Sequence, residues 1–154
     1  MATMAVLAAV AVGACGDDTP TNVCDPGPLA VLADQTFAAA LNVNPDSLTE
    51  RNGVYHQDRV VGAGPLAEAG DQLEVTYTGW LTDGTQFDAG SFRVILGLSS
   101  VIIGWQVGLE GTQEGGTSLL VIPPASGYGL CPNGPIPGNS FLVFEITVDQ
   151  LTQQ

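Results

Sequence analysis

The sequence predicts an α+β domain that is mainly β, an antiparallel sheet of about five strands curved over one short α-helix. Three observations lead there. Apolar residues alternate with polar ones from Asp71 onward, the period of a half-buried strand. Short apolar runs are bounded by glycine, proline and Asp-Gly turn signals. Only one stretch of the domain, Ile102 to Leu109, has helical spacing. A helix that short stands only if a sheet buries its apolar stripe. The 154 residues suffice for one domain with a moderate core.

The compact domain is expected to span residues 53–151. Val54 to Val61 is a first strand with imperfect alternation, and Gly62 to Gly70 a loop. Leu73, Val75 and Tyr77 then face one way, and Gln72, Glu74, Thr76 and Thr78 the other. Asp83-Gly84 is a turn between Leu81 and Phe87. Phe92, Val94 and Leu96 alternate next. In the helical stretch, Ile102, Trp105, Gln106 and Leu109 share a face. Gly108 inside it costs about 1 kcal/mol of propensity, so packing must hold the helix. Thr117 to Ile122 reads as a central strand stopped by Pro123-Pro124. Phe141 to Val148 closes the domain with Leu142, Phe144, Ile146 and Val148 on one face.

Residues 16–52 read as a tether. Gly16 to Pro28 is polar and turn-rich, and Leu29 to Leu41 is a short helix or a loosely docked arm. Asn42 to Asn52 returns to turn character around Asn44-Pro45-Asp46-Ser47.

The net charge is -13, with Arg51, Arg59 and Arg93 the only basic side chains apart from a single histidine. Nonspecific nucleic-acid binding needs a positive face, so no nucleic-acid partner is expected. An anionic membrane surface would repel such a chain. Residues 1–15 differ in kind. Met1 to Ala14 is small and apolar and closes on Val12-Gly13-Ala14 before Cys15, the shape of a secretory signal. The run is shorter than the roughly twenty apolar residues of a membrane-spanning helix. It resembles a bacterial lipoprotein signal, although the usual basic residues before the apolar run are missing. The resemblance implies lipid on Cys15, and an exported chain anchored by it on the periplasmic or extracellular side of a membrane. An ordinary cleaved signal and an apolar tail of another kind are the other readings. An exported chain can hold the remaining Cys24 and Cys131 as a disulfide; two separate thiols is the alternative.

The polar residues suggest no reaction centre. His56 is the only histidine and has no cysteine or serine motif near it. Asp83 belongs to its turn, and Glu110 and Glu114 are set among glycines that oppose a helix. Gly108, Gly111, Gly115 and Gly116 match neither a phosphate loop nor a dinucleotide fingerprint. No metal and no cofactor is expected. The aromatics are the remaining candidates: Tyr77, Phe87, Phe92, Trp105, Tyr128 and Phe144 fall in or beside predicted elements of the same domain. A shared core accounts for most of them. Tyr128, between Gly127 and Gly129, is placed to offer its hydroxyl to a ligand.

Several short pieces then align in order: Val75-Thr76-Tyr77-Thr78-Gly79, Asp83-Gly84, Phe87-Asp88, Val101-Ile102-Ile103-Gly104-Trp105, Pro124 with Tyr128-Gly129, and Phe141-Leu142-Val143-Phe144. Each is weak alone. Together, from about Gly62 to Leu151, they resemble the FKBP-type peptidyl-prolyl cis-trans isomerases. The resemblance implies a strongly twisted antiparallel sheet wrapped around one short helix. It implies a proline pocket lined by Tyr77, Phe87, Phe92, Val101, Ile102, Trp105, Ile136 and Phe144, with Trp105 as the floor and Asp88 as a hydrogen-bonding partner at the edge. The Ile102 N–H and the Tyr128 hydroxyl would donate to carbonyls of the bound peptide. The implied activity is rotation about X-Pro bonds without covalent chemistry, with proline-containing segments of exported proteins as partners and macrocyclic inhibitors as ligands of the same pocket. A non-catalytic peptide-binding or scaffold module is the alternative. Two departures bear on peptide preference. Leu130 to Gly138 is shorter than the common loop and lacks a histidine found in some members, and Asp88 to Phe92 is also short.

Overall fold

The computed structural model describes Cys24 and residues 27–154. Cys15 and the apolar run before it lie outside the described residues. Six strands form one antiparallel sheet: β1 (Thr49–Arg51), β2 (Val54–Val60), β3 (Gln72–Leu81), β4 (Gln86–Ile95), β5 (Thr117–Ile122) and β6 (Leu142–Thr152). Their order across the sheet is β1-β2-β5-β6-β3-β4. The one α-helix, α1, spans Ile103–Leu109.

The strand beyond the expected five is β1, which lies in the stretch read as tether. Asn52 and Gly53 carry φ of 47° and 78° and link it to β2, pairing Arg51 with Val54 and Thr49 with His56. Asn-Gly is a strong two-residue hairpin signal because both residues tolerate positive φ. It was masked because β1 has only three residues, all exposed, and so no alternation.

Side-chain alternation builds two apolar layers. On the inner face Leu73, Val75, Leu120, Ile122, Leu142 and Ile146 pack against Trp105 and Leu109 of α1. Burial at about 25 cal/mol per Å² of apolar surface is what holds so short a helix. Its glycines allow the approach. A Cβ on Gly104 would meet Ile122 Cγ2 at 2.5 Å, and one on Gly108 would meet Leu120 Cδ1 at 2.5 Å. The propensity lost at Gly108 is therefore exchanged for contact with β5.

On the outer face Leu119, Val121, Phe141 and Val143 are covered by Ala30, Leu32, Phe37, Leu41, Val43 and Leu48. These residues form a docked arm rather than an α-helix. It makes 3-10 turns at Leu32–Asp34, Ala39–Leu41 and Pro45–Ser47. Between the first two, Ala38 N–H donates to the Thr82 carbonyl at 2.7 Å, so the backbone bonds to the domain instead of to itself. Because β5 is covered on both faces, it reads as a near-continuous apolar run from Leu119 to Ile122.

Candidate functional site

The site lies where α1 meets the inner face of β3, β4 and β6. Alternation on β3 turns Tyr77 inward; β4 contributes Phe87, Asp88 and Phe92, and β6 contributes Phe144. The segment before α1 adds Ser100, Val101 and Ile102, and the turn after Pro124–Ser126 adds Tyr128. With Trp105 they enclose an open pocket of about 230 Å³.

Trp105 is the floor. It is only 5 % exposed and meets three rings edge-on: Tyr77 at 4.9 Å, Phe144 at 5.4 Å and Phe92 at 6.5 Å between centroids. Phe87 and Phe144 meet at 5.5 Å, also edge-on. Such pairs contribute about 0.5–1.5 kcal/mol each beyond area burial, so the cluster has a defined shape before any ligand arrives. The indole Nε1 of Trp105 is buried without a hydrogen-bond partner. Gly79 explains how the rings fit. It lies opposite Phe144 on one side and Asp88 on the other, and a Cβ there would come within 2.7 Å of Phe144 Cε1 and 2.8 Å of Phe87 Cζ.

The polar edge is narrow. Tyr77 donates its hydroxyl to Asp88 Oδ2 at 2.9 Å, and Ala89 N–H donates to Asp88 Oδ1 at 2.9 Å. Burial, and then the hydrogen bond to Asp88 and its charge, push the Tyr77 phenol up from 10.0 to about 12. It therefore stays protonated, and keeps donating, across the neutral range. A raised phenol pKa means that the folded state retains a proton the unfolded chain has lost. Stability contributed by this pair is thus present below about pH 10 and falls as the pH rises towards about 12. In an ultraviolet titration, one of the three tyrosines is expected to ionise about two units late, and Tyr77→Phe should remove that late step.

Most of the expected site residues are brought together. Tyr77, Phe87, Asp88, Phe92, Val101, Ile102, Trp105, Tyr128 and Phe144 all line the pocket. Ile136 does not. It is 5 % exposed and packs in the inner core. The reason is local: Asn133 and Ile136 exchange backbone hydrogen bonds of 2.9 and 3.0 Å, a tight turn that accompanies the burial of the side chain in the core. Ser100 lines the pocket although nothing in its type or neighbours distinguishes it from any loop serine. Phe92 is 48 % exposed and Tyr128 39 %, so the mouth is open on the sides they form.

The remaining polar candidates stand elsewhere. His56 Nδ1 lies 2.9 Å from the Thr49 carbonyl on the β1–β2 hairpin. Asp83 accepts from Thr85 N–H at 2.8 Å within its turn, which holds its carboxyl below the usual range. Glu114 accepts from Leu151 N–H at 2.9 Å. Among the described residues no three His, Cys, Asp or Glu side chains gather to hold a metal. Cys24 and Cys131 are joined as a disulfide across 107 residues.

The profile of the FKBP-type peptidyl-prolyl cis-trans isomerases matches residues 64–149, a span that contains every residue of the pocket. The chain belongs to that family. An FK506-binding protein of Neisseria meningitidis serogroup B is 40% identical over 100 residues, covering 61% of this chain and 92% of that protein. FK506-binding protein 4 of Chaetomium thermophilum is 44% identical over 98 residues, but this chain spans only 20% of its length. Among solved structures, a peptidyl-prolyl cis-trans isomerase of Pseudomonas syringae pv. tomato superposes with a TM-score of 0.64 at 32% identity, covering 75% of this chain and 87% of that one. FkpA of Escherichia coli gives 0.61 at 32% identity, covering 69% and 52%. In this FKBP domain the six-stranded sheet and single short helix are thus the family architecture, and the arm before residue 49 packs against it from outside the matched span.

Proposed function

We propose that this chain isomerises X-Pro bonds in exported proteins, within its aromatic pocket and without covalent chemistry. The observation that carries the reading is the convergence of Tyr77, Phe87, Phe92, Trp105 and Phe144 on one small, open slot of aromatic walls with a single carboxylate, Asp88, at its edge.

The chemistry follows from the amide. Resonance gives the C–N bond partial double-bond character and a rotation barrier of about 18–20 kcal/mol. Rotation breaks no covalent bond, so neither nucleophile nor metal is needed. Twisting localises the nitrogen lone pair and reduces charge separation across the amide. Water solvates the planar amide better than the twisted one, and an apolar slot reverses that preference. The Ile102 N–H and the Tyr128 hydroxyl hold flanking carbonyls in a turn-like shape that suits the twisted state. This is differential binding of the transition state, and each 1.4 kcal/mol of it gives about tenfold in rate.

Lipid on Cys15 would hold the domain at the outer side of a membrane. The charge of -13 offers the membrane no electrostatic attraction, so a Cys15→Ala chain should leave the membrane fraction on cell fractionation. Retention of that variant in membranes would overturn the anchor.

The test of activity is the isomerisation rate of a short X-Pro peptide. Micromolar protein should accelerate it, FK506, which relatives are named for binding, should suppress the acceleration, and Phe87→Ala should lose at least tenfold in kcat/KM, corresponding to about 1.4 kcal/mol. An unchanged rate would contradict the reading. A non-catalytic peptide-binding module is the second reading. It draws on the Cys24–Cys131 bridge, which fixes the loop beside the pocket, and peptide binding without acceleration would select it.

A further inference from the structure

The arm that covers the outer sheet face also reaches the loop beside the pocket. Asn139 is the junction. Its backbone is left-handed, with φ 60°, and its N–H donates to the Gly129 carbonyl at 2.8 Å. Among the described residues of the arm, its side chain holds two: Oδ1 accepts from Ala30 N–H at 2.8 Å, and Nδ2 donates to the Pro28 carbonyl at 3.0 Å. Gly129 directly follows Tyr128. Two residues further on, Cys131 is bonded to Cys24 at the start of the described arm. Between these ties Gly138 lies so close to the Leu130 carbonyl that a side chain would not fit, so the two limbs of the loop are closed on each other. The far end of the arm is fixed independently, by Ala38 on Thr82 and by Arg59 Nη2 donating to the Asn42 carbonyl at 2.6 Å. Cys24, Pro28 and Ala30 all precede residue 64, where the match to the family begins.

We propose that Asn139 is a positioning residue for the isomerase reaction: with the Cys24–Cys131 bridge it clamps the arm to the Tyr128–Gly129 turn and so fixes the Tyr128 hydroxyl at the pocket mouth. The inference rests on the reading of the pocket given above. Tyr128 is 39 % exposed and stands on a turn, so without the clamp its hydroxyl would sample many positions, few of them useful to a bound peptide. The floor, built from β3, β6 and α1, does not depend on the arm. Losing the clamp should therefore weaken peptide binding more than turnover.

The test is a double-mutant cycle in the full chain. Asn139→Gly keeps the left-handed backbone and removes the side-chain bonds to Pro28 and Ala30, and Tyr128→Phe removes the hydroxyl. Asn139→Asp keeps the acceptor for Ala30 and should recover part of the loss. Asn139→Gly is expected to raise KM about fivefold with kcat changed less than twofold, the pattern of lost uniform binding. In the Tyr128→Phe background the same substitution should have no further effect, which a merely structural role would not produce. Reductant should raise KM of the parent chain and leave Cys24→Ser unmoved. Thermal melts confirm that each variant is folded. An unchanged KM in Asn139→Gly, or effects that add in the double variant, would overturn the proposal. If the parent chain binds peptide without turning it over, the reading of the pocket as catalytic fails, and the same cycle read as peptide Kd still decides the clamp.

Discussion

Trp105→Ala is expected to remove most of the isomerase activity, on the order of a hundredfold in kcat/KM, equivalent to about 2.7 kcal/mol of transition-state binding. Trp105 touches Tyr77, Phe92 and Phe144 and is 5 % exposed, so its loss opens the slot from below. Water then reaches the prolyl amide and solvates its planar form, cancelling the preference for the twisted one. The same change should lower stability by about 3–5 kcal/mol, as large-to-small substitutions of buried aromatics do. Chemical denaturation gives the stability loss, and the peptide assay at a temperature where the variant is folded gives the rate. Trp105→Phe separates the two, because it retains an apolar floor. It should be less destabilised and keep a measurable fraction of the activity. A Trp105→Ala protein that is folded and fully active would show that the floor does not matter.

Gly79→Ala is the second large effect, and it acts without removing any atom of the site. The added methyl would lie 2.7 Å from Phe144 Cε1 and 2.8 Å from Phe87 Cζ, closer than carbon atoms tolerate. β3 is paired to β4 on one side and β6 on the other, so its backbone has little room to retreat. The rings must move instead, into the pocket. Overpacking of this kind costs about 1–3 kcal/mol. We expect a folded protein whose kcat/KM falls more than tenfold, about 1.4 kcal/mol. Gly90→Ala is the control: it sits on neighbouring β4, and a methyl there would be 3.8 Å from its nearest neighbour, the Tyr77 hydroxyl oxygen. Near-parental activity is expected of it. Equal activity in both variants would mean that the rings are not shaped by the gap at Gly79.

The parts of the fold legible in the sequence are those where one physical signal dominates. β3 was readable because Leu73, Val75 and Tyr77 alternate with polar partners, and β5 because Leu119 to Ile122 are apolar up to the prolines that end the strand. β1 was not readable, because three exposed residues bury nothing and so carry no pattern. The arm could be a helix or a docked segment from spacing alone, since Leu32, Phe37 and Leu41 suit either. What decides is the outer face of β5 and β6, which offers them a surface only once the sheet exists. In the site, the aromatic set carried its own signal. Ile136 misled because a branched side chain in a loop can turn to the mouth or the core, and the Asn133–Ile136 turn that accompanies its burial is a matter of backbone geometry. Gly79 stood within a recognisable motif, yet its purpose is the space between two rings brought together from β4 and β6. Gly108 looked like a weakness in a helix and is a contact surface for Leu120.

The slot above Trp105 is proposed to receive the prolyl ring and to speed rotation there. Exchange NMR on an X-Pro peptide with substoichiometric protein tests both halves in one sample, because the chain has two tryptophans on opposite faces of the sheet. Trp105 faces the slot, and Trp80 packs against the outer-face cluster of Leu119, Val121, Phe141 and Val143. Cis–trans exchange cross-peaks should grow with protein concentration and vanish with FK506, and the Trp105 indole N–H signal should shift while Trp80 stays in place. Exchange no faster than in free peptide, or acceleration with the Trp105 signal unmoved, would contradict it.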